Sequence, residues 1–94
     1  MNQASNGIAK RIQVYGRVQG VNFRAASRRE AKSLKLTGWA HNEPDGSVTI
    51  VVEGGQRDID RFTAWCHTGP SNARVERIEI SDEIYSGHDS FHIR

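Results

Sequence analysis

The sequence predicts an α/β (α+β) sandwich, an antiparallel sheet of four to five strands with two helices packed on one face. Three observations predict it. Apolar residues alternate along the segments around Ile12 and Ile78, and Val48–Glu53 is a run of mostly β-branched residues, but apolar residues recur at helical spacing from Phe23 to about Leu36 and from Arg57 to His67. The run Glu43-Pro44-Asp45-Gly46-Ser47 is a tight turn, proline setting φ and glycine accepting a positive φ, so the strands on either side form a hairpin. Each helix stands between two strands, which makes the order βαββαβ, a split βαβ arrangement with a short strand closing it.

In chain order, Met1 to Ala9 is polar and reads as a flexible tail, leaving residues 10–94 as a single domain. Ile12 and Val14 face one side of the first strand, and Gln13 and Tyr15 the other. The first helix carries Phe23, Ala26, Ser27, Ala31 and Leu34 on one stripe, with Asn22 as its expected N-cap. Thr37–Asn42 and Val48–Glu53 are the hairpin strands, the latter rich in β-branched residues. The second helix aligns Ile59, Phe62 and Cys66, with Trp65 at the margin, and Gly69-Pro70 stops it. Ile78 and Ile80 are in phase along the next strand while Val75 is not, which predicts a bulge or a late start. Phe91 and Ile93 alternate inward in a final strand over Asp89 to Arg94.

Composition narrows the function. A chain of 94 residues buries roughly two thirds of its unfolded surface, enough to fold without metal or disulfide. Net charge is +2 with both signs interspersed, so no basic arm or patch marks a nucleic-acid or membrane partner, and an anionic small molecule suits the charge. Cys66 is the only cysteine and excludes an internal disulfide. The N-terminus has no signal-peptide pattern and no stretch is long enough to span a membrane, so the expected location is cytoplasmic, and nothing demands more than a monomer. Histidines at 41, 67, 88 and 92 show no ligand spacing, so no metal and no cofactor are expected.

The stretch most suited to chemistry is Gly16-Arg17-Val18-Gln19-Gly20-Val21-Asn22, between the first strand and the first helix. Two glycines let the backbone curl and turn its amides inward, and the helix start adds a positive dipole end. Arg24 at its lip can grip oxyanion oxygens pairwise. On these residues alone, a phosphate or carboxylate pocket and a plain strand-to-helix connection are equally good readings.

The run Gly16-Arg17-Val18-Gln19-Gly20-Val21-Asn22-Phe23-Arg24 resembles the signature loop of the acylphosphatases. Gly38-Trp39-Ala40-His41-Asn42 with Pro44-Asp45-Gly46-Ser47-Val48 resembles their second signature, and Gly69-Pro70, Ala73, Val75 and Phe91-His92-Ile93-Arg94 fit the same pattern. The resemblance covers residues 10 to 94 and implies a ferredoxin-like fold and metal-independent hydrolysis of acyl phosphates to carboxylate and phosphate. It makes Arg24 the phosphate-binding catalytic arginine and Asn42 the holder of the attacking water. The amides around Gln19, Gly20, Val21 and Asn22 would line the phosphate cradle. Asparagine at position 22 departs from the glycine or aromatic common there, which leaves its side chain with three readings: capping the helix, touching ligand, or neither.

The chemistry fits these residues. An acyl phosphate expels a carboxylate that needs no general acid, and phosphoryl transfer runs on positioning and charge stabilisation. Asn42 can orient water but cannot take its proton, so a non-bridging oxygen of the substrate's own phosphate is the expected acceptor. His41 adjoins Asn42 but points to the opposite strand face. Glu43 and Asp45 read as solvated turn residues, Cys66 as a buried apolar side chain, and Trp39 and Trp65 as packing anchors. Arg17 either adds potential at the loop mouth or is simply solvated.

Two rival readings remain. One is a non-hydrolytic module binding phosphate or carbamoyl phosphate, as acylphosphatase-like domains do inside larger maturation proteins. The chain's ending after its last strand, and the joint presence of Arg24 and Asn42, favour the free-standing hydrolase. The other is an RNA-binding ferredoxin-like domain, which would need a basic aromatic strand motif absent here.

Overall fold

The computed structural model describes residues 7–94. Its elements are β1 (Ile8–Arg17), α1 (Phe23–Ser33), β2 (Thr37–Asn42), β3 (Val48–Gly54), α2 (Gln56–Cys66), β4 (Arg74–Asp82) and β5 (Phe91–Ile93). The strands form one sheet in the order β4-β1-β3-β2-β5. β3 lies between β1 and β2 and is antiparallel to both, which is the split βαβ arrangement of a ferredoxin-like fold.

The period-two pattern decides the faces. Ile12 pairs with Ile50 and Val14 with Val48, and these four side chains are fully buried against Phe23, Ala31, Ile59, Phe62 and Cys66 of the two helices. Burying each such aliphatic or aromatic side chain contributes about 1.5–3 kcal/mol, so this single layer supplies most of the driving force. β3 is buried on both faces from Val48 to Glu53, as a central strand should be.

Several boundaries differ from the sequence reading. β1 begins at Ile8, and Ala9 is buried opposite Glu53, so the sheet takes in two residues assigned to the tail. Gly7 precedes the strand, and residues 1–6 of the tail lie outside those described. The sheet is also not wholly antiparallel, because β5 runs parallel to β2. The residues 83–90 bring the chain to the other edge of the sheet at its far end. There the buried carboxylate of Glu53 accepts hydrogen bonds from the amides of Ser86 (2.6 Å), Gly87 (3.0 Å) and His88 (2.8 Å). Phe91 turns inward, but Ile93 keeps 37% of its surface exposed and Ile80 48%, because each lies on an edge strand.

The expected irregularity at Val75 is real. Gly16 pairs with Val75 and Tyr15 with Arg77, so Glu76 is the extra residue of a bulge. Gly16 adopts φ +127°, and a Cβ there would run into the Arg74 carbonyl and the Glu76 amide. Only glycine lets β1 approach the bulged strand this closely.

α1 ends at Ser33 rather than Leu36, through a hydrogen-bonded C-terminal wrap. The Leu36 amide donates to Ala31 O (2.8 Å) and the Lys35 amide to Lys32 O (3.1 Å). Lys35 stands in the left-handed region at φ +60°, where glycine is usual. Lys35→Gly should therefore raise stability by about 0.5–1 kcal/mol, the relief of left-handed strain exceeding the added unfolded-state entropy; chemical denaturation with an unchanged or lower midpoint would refute this. Glu53→Ala should lower stability by at least ~2 kcal/mol, since charged hydrogen bonds contribute about 1.5–3 kcal/mol each, and should speed amide exchange at residues 86–88.

Candidate active site

The first turn of α1, the end of β2 and the loop 18–22 converge on a cavity of about 260 Å³ lined by Val18, Gly20, Asn22, Arg24, Asn42 and Ile93 among others. Arg24 and Asn42 are thus brought together with Val18, Gly20 and Asn22, from positions separated by the whole first helix, whereas Gly16, Arg17, Gln19 and Val21 do not line this cavity. Asn42 reaches the cavity because strand alternation puts it on the helix-packed face with Ala40, opposite Val48. His41 is on the other face, paired with Thr49, as alternation requires.

The loop is held by its side chains rather than by its own main chain. Val18 is buried in the core. Gln19 donates from Nε2 to the carbonyls of Glu43 (2.7 Å) and Ser47 (2.9 Å), at the two ends of the β2–β3 turn. Among the described residues, the amides of Gln19, Gly20, Val21 and Asn22 have no main-chain acceptor. Gly20 and Asn22 are both left-handed, at φ +76° and +68°. Alternating handedness of this kind turns successive amides toward one point, a geometry suited to an oxyanion. Glycine meets that demand at position 20 without strain, and asparagine is among the residues that tolerate it at position 22.

Asn22 occupies the N-cap position of α1 but makes no capping hydrogen bond with its side chain. The left-handed backbone directs that side chain away from the helix's free amides, which removes capping from its possible roles and leaves it in the cavity wall. Arg24 donates from Nη1 to the main-chain oxygen of Arg94 at 2.5 Å. That contact fixes one edge of the guanidinium and leaves its remaining donors for a ligand. Arg17 does not line this cavity; with Gly20 and Val21 it lines a second one beside it.

The turn behind the loop is a network of its own. Asp45 Oδ1 accepts from the Ser47 hydroxyl (2.6 Å) and amide (2.9 Å). The Glu43 carboxylate accepts from Thr49 Oγ1 (2.7 Å) and lies 3.2 Å from His41 Nδ1. Asp45 is exposed and Glu43 half-buried, in line with turn residues open to solvent, but both also hold hydrogen bonds that the sequence reading does not include. The Thr49 hydroxyl, then the His41 ring, hold the Glu43 carboxyl below its ordinary range, and the Ser47 hydroxyl and amide do the same for Asp45. Burial pushes the Cys66 thiol up, with the Glu30 charge adding to it, so that thiol is no nucleophile. Among the described residues, no group of three or more His, Cys, Asp or Glu side chains is placed to hold a metal ion.

Sequence reasoning missed the side-chain role of Gln19, the part of Ile93 in the cavity wall, and the Arg94 oxygen on Arg24. Only the first had a signal, a glutamine amid a tight glycine loop, and nothing local says which carbonyls it meets.

Fold and cavity together define a small α+β domain in which a loop of unpaired amides borders a cavity. The profile of the Acylphosphatase family matches residues 10–93. An acylphosphatase of Rubrobacter xylanophilus is 49% identical over 80 residues, covering 83% of this chain and 73% of that protein. An acylphosphatase structure from Coxiella burnetii superposes over the full length of both chains with a TM-score of 0.94 at 34% identity. The structure of T. kodakarensis HypF matches 92% of this chain at 37% identity and a TM-score of 0.79, but with only 12% of its own length. This chain belongs to the acylphosphatase family, which is a family of hydrolases.

Because Glu43 and Asp45 have lowered pKa values, each contributes stability that is complete above the ordinary carboxylate range and is lost as pH falls through the depressed value. The thermal midpoint should hold down to about pH 4.5 and fall below it, and Asp45→Asn should make that decline shallower. Melting curves of equal acid slope for both proteins would dismiss the assignment.

Proposed function

We propose that this chain hydrolyses acyl phosphates with Arg24 and the loop amides binding the phosphate and Asn42 orienting the attacking water. The meeting of Arg24, Asn42 and the unpaired loop amides at one small cavity carries the proposal. The phosphate's oxygens sit against the amides of Gln19 to Asn22 and the free edge of Arg24, where preorganised donors stabilise charge that builds in the transition state. The Asn42 carboxamide accepts a hydrogen bond from water and sets it in line with the phosphorus. The water oxygen bonds to phosphorus as the bond between phosphorus and the acyl oxygen breaks. The carboxylate leaves as an anion, and the water proton passes to a phosphate oxygen. No side-chain acid or base is required.

The expected substrate is a small-molecule acyl phosphate, and the expected state is a cytoplasmic monomer. One buried thiol suits a reducing compartment, and among the described residues no helix is long and apolar enough to cross a membrane. The RNA-binding reading is disfavoured by the open sheet face. Arg94 lies 4.3 Å and Arg11 5.6 Å from the Trp39 ring centroid, and Arg77 lies 3.9 Å from that of Tyr15, so arginines of the chain itself cover the rings a base would stack on.

The test is hydrolysis of benzoyl phosphate. Arg24→Ala and Asn42→Ala should each remain folded and lose on the order of a hundred- to a thousand-fold in kcat. Arg24→Ala should also weaken inhibition by inorganic phosphate, whereas Asn42→Ala should largely retain it. Chelators should leave the wild-type rate unchanged. An inactive wild type would remove the hydrolase proposal in favour of a binding module, and normal turnover by Asn42→Ala would remove its water-holding role.

A further inference from the structure

Beside the candidate active site lies a second cavity, of about 470 Å³, lined by Arg17 and Arg74 with Gly20, Ser71 and Asn72. Arg17 and Arg74 are direct cross-strand partners at the end of the β1–β4 ladder. Like charges placed opposite each other on a sheet destabilise it unless something offsets them. Among the described residues, neither arginine has an acidic partner within salt-bridge distance, and no carboxylate lines the cavity. Two guanidinium groups with a hydroxyl and a carboxamide make a donor set complementary to an oxyanion.

The position of this cavity says which oxyanion. Gly20 lines both cavities, and a Cβ built on it would meet nothing within 4 Å, so no side chain partitions the space at that point. Gly20 is therefore the shared wall past which a molecule with its phosphate beside Arg24 would reach toward Arg17 and Arg74. We propose that this second cavity is a subsite for a second oxyanion, a carboxylate or phosphate at the far end of the acyl group. The preferred substrates are then acyl phosphates whose acyl group is itself negatively charged.

This inference rests on the hydrolase reading for its substrate, but binding tests it without turnover. The probes are pentylphosphonate, 5-phosphonopentanoate and pentane-1,5-bisphosphonate. They share one phosphonate and chain length and differ in having no terminal anion, a carboxylate or a second phosphonate. By calorimetry on the whole chain, the two doubly anionic probes should bind about tenfold more tightly than pentylphosphonate. Arg74→Gln should reduce that preference to within about twofold, and Arg74→Lys, which keeps the charge without the fork, should restore part of it. A preference for the carboxylate probe over the bisphosphonate, or the reverse, identifies which oxyanion the cavity takes. Equal wild-type binding of all three probes would overturn the proposal, as would an equal loss for all three in Arg74→Gln, which marks general electrostatic attraction. In parallel, the ratio of kcat/KM for succinyl phosphate to that for acetyl phosphate should fall about tenfold in Arg74→Gln. A wild type inactive on both substrates would defeat the hydrolase reading while leaving the binding result to decide the subsite.

Discussion

The site depends on the carboxamide of Gln19. Its Nε2 bridges the Glu43 and Ser47 carbonyls and so ties the glycine loop to the turn that follows Asn42. No main-chain ladder joins these segments, because the loop leaves β1 while the turn connects β2 to β3. With the loop held from outside, its own amides need not fold back on each other. Free amides in a fixed curve are what an oxyanion site requires, since donors already in place need no reorganisation when charge develops. A loop closed by its own hydrogen bonds would have been equally ordered and chemically silent.

The alternation of β2 then decides which neighbour of the turn takes part. Asn42 faces the cavity, whereas His41 faces the open side of the sheet and engages Glu43. The histidine and the two turn acids therefore stiffen the platform on which Gln19 is anchored. Thr49 donates to Glu43, and Ser47 both donates to Asp45 and lends its carbonyl to Gln19. Groups that resemble an acid–base pair in sequence serve to hold a loop in the fold.

Much of this was legible in the sequence because it rests on short-range periodicity. The buried stripe of α1 and the faces of β1 follow from spacing alone, and the bulge follows from Val75 falling out of phase. What was not legible rests on contacts between distant segments or on backbone angles with no residue signal. Lys35 occupies a left-handed position that its side chain does not advertise, so the helical spacing runs on to Leu36 while the helix stops at Ser33. Asn22 precedes the helix as a cap should, yet φ +68° turns its side chain elsewhere. The bulge shifts the register so that Arg17 stands opposite Arg74 beside the second cavity, a pairing invisible to composition. The site followed the same division. Motif resemblance names Arg24 and Asn42 as candidates, whereas the Gln19 bridge and the Arg94 oxygen needed coordinates.

The parallel direction of β5 is the clearest case of a distant contact shaping the site. A parallel partner for β2 requires the chain to return to the end of the sheet where β2 begins. Glu53, at that end of β3, holds the returning segment by three amides, although its side chain lies at the opposite end of the sheet from the cavity. From there β5 runs alongside β2 toward the loop, placing Ile93 in the cavity wall and the Arg94 oxygen on Arg24. An antiparallel β5 entering from the other end would present its first residues, not its last, to Arg24. β4 already ends at that end of the sheet, so the buried carboxylate anchors the short segment that leads into β5 and on to the Arg94 oxygen that meets Arg24.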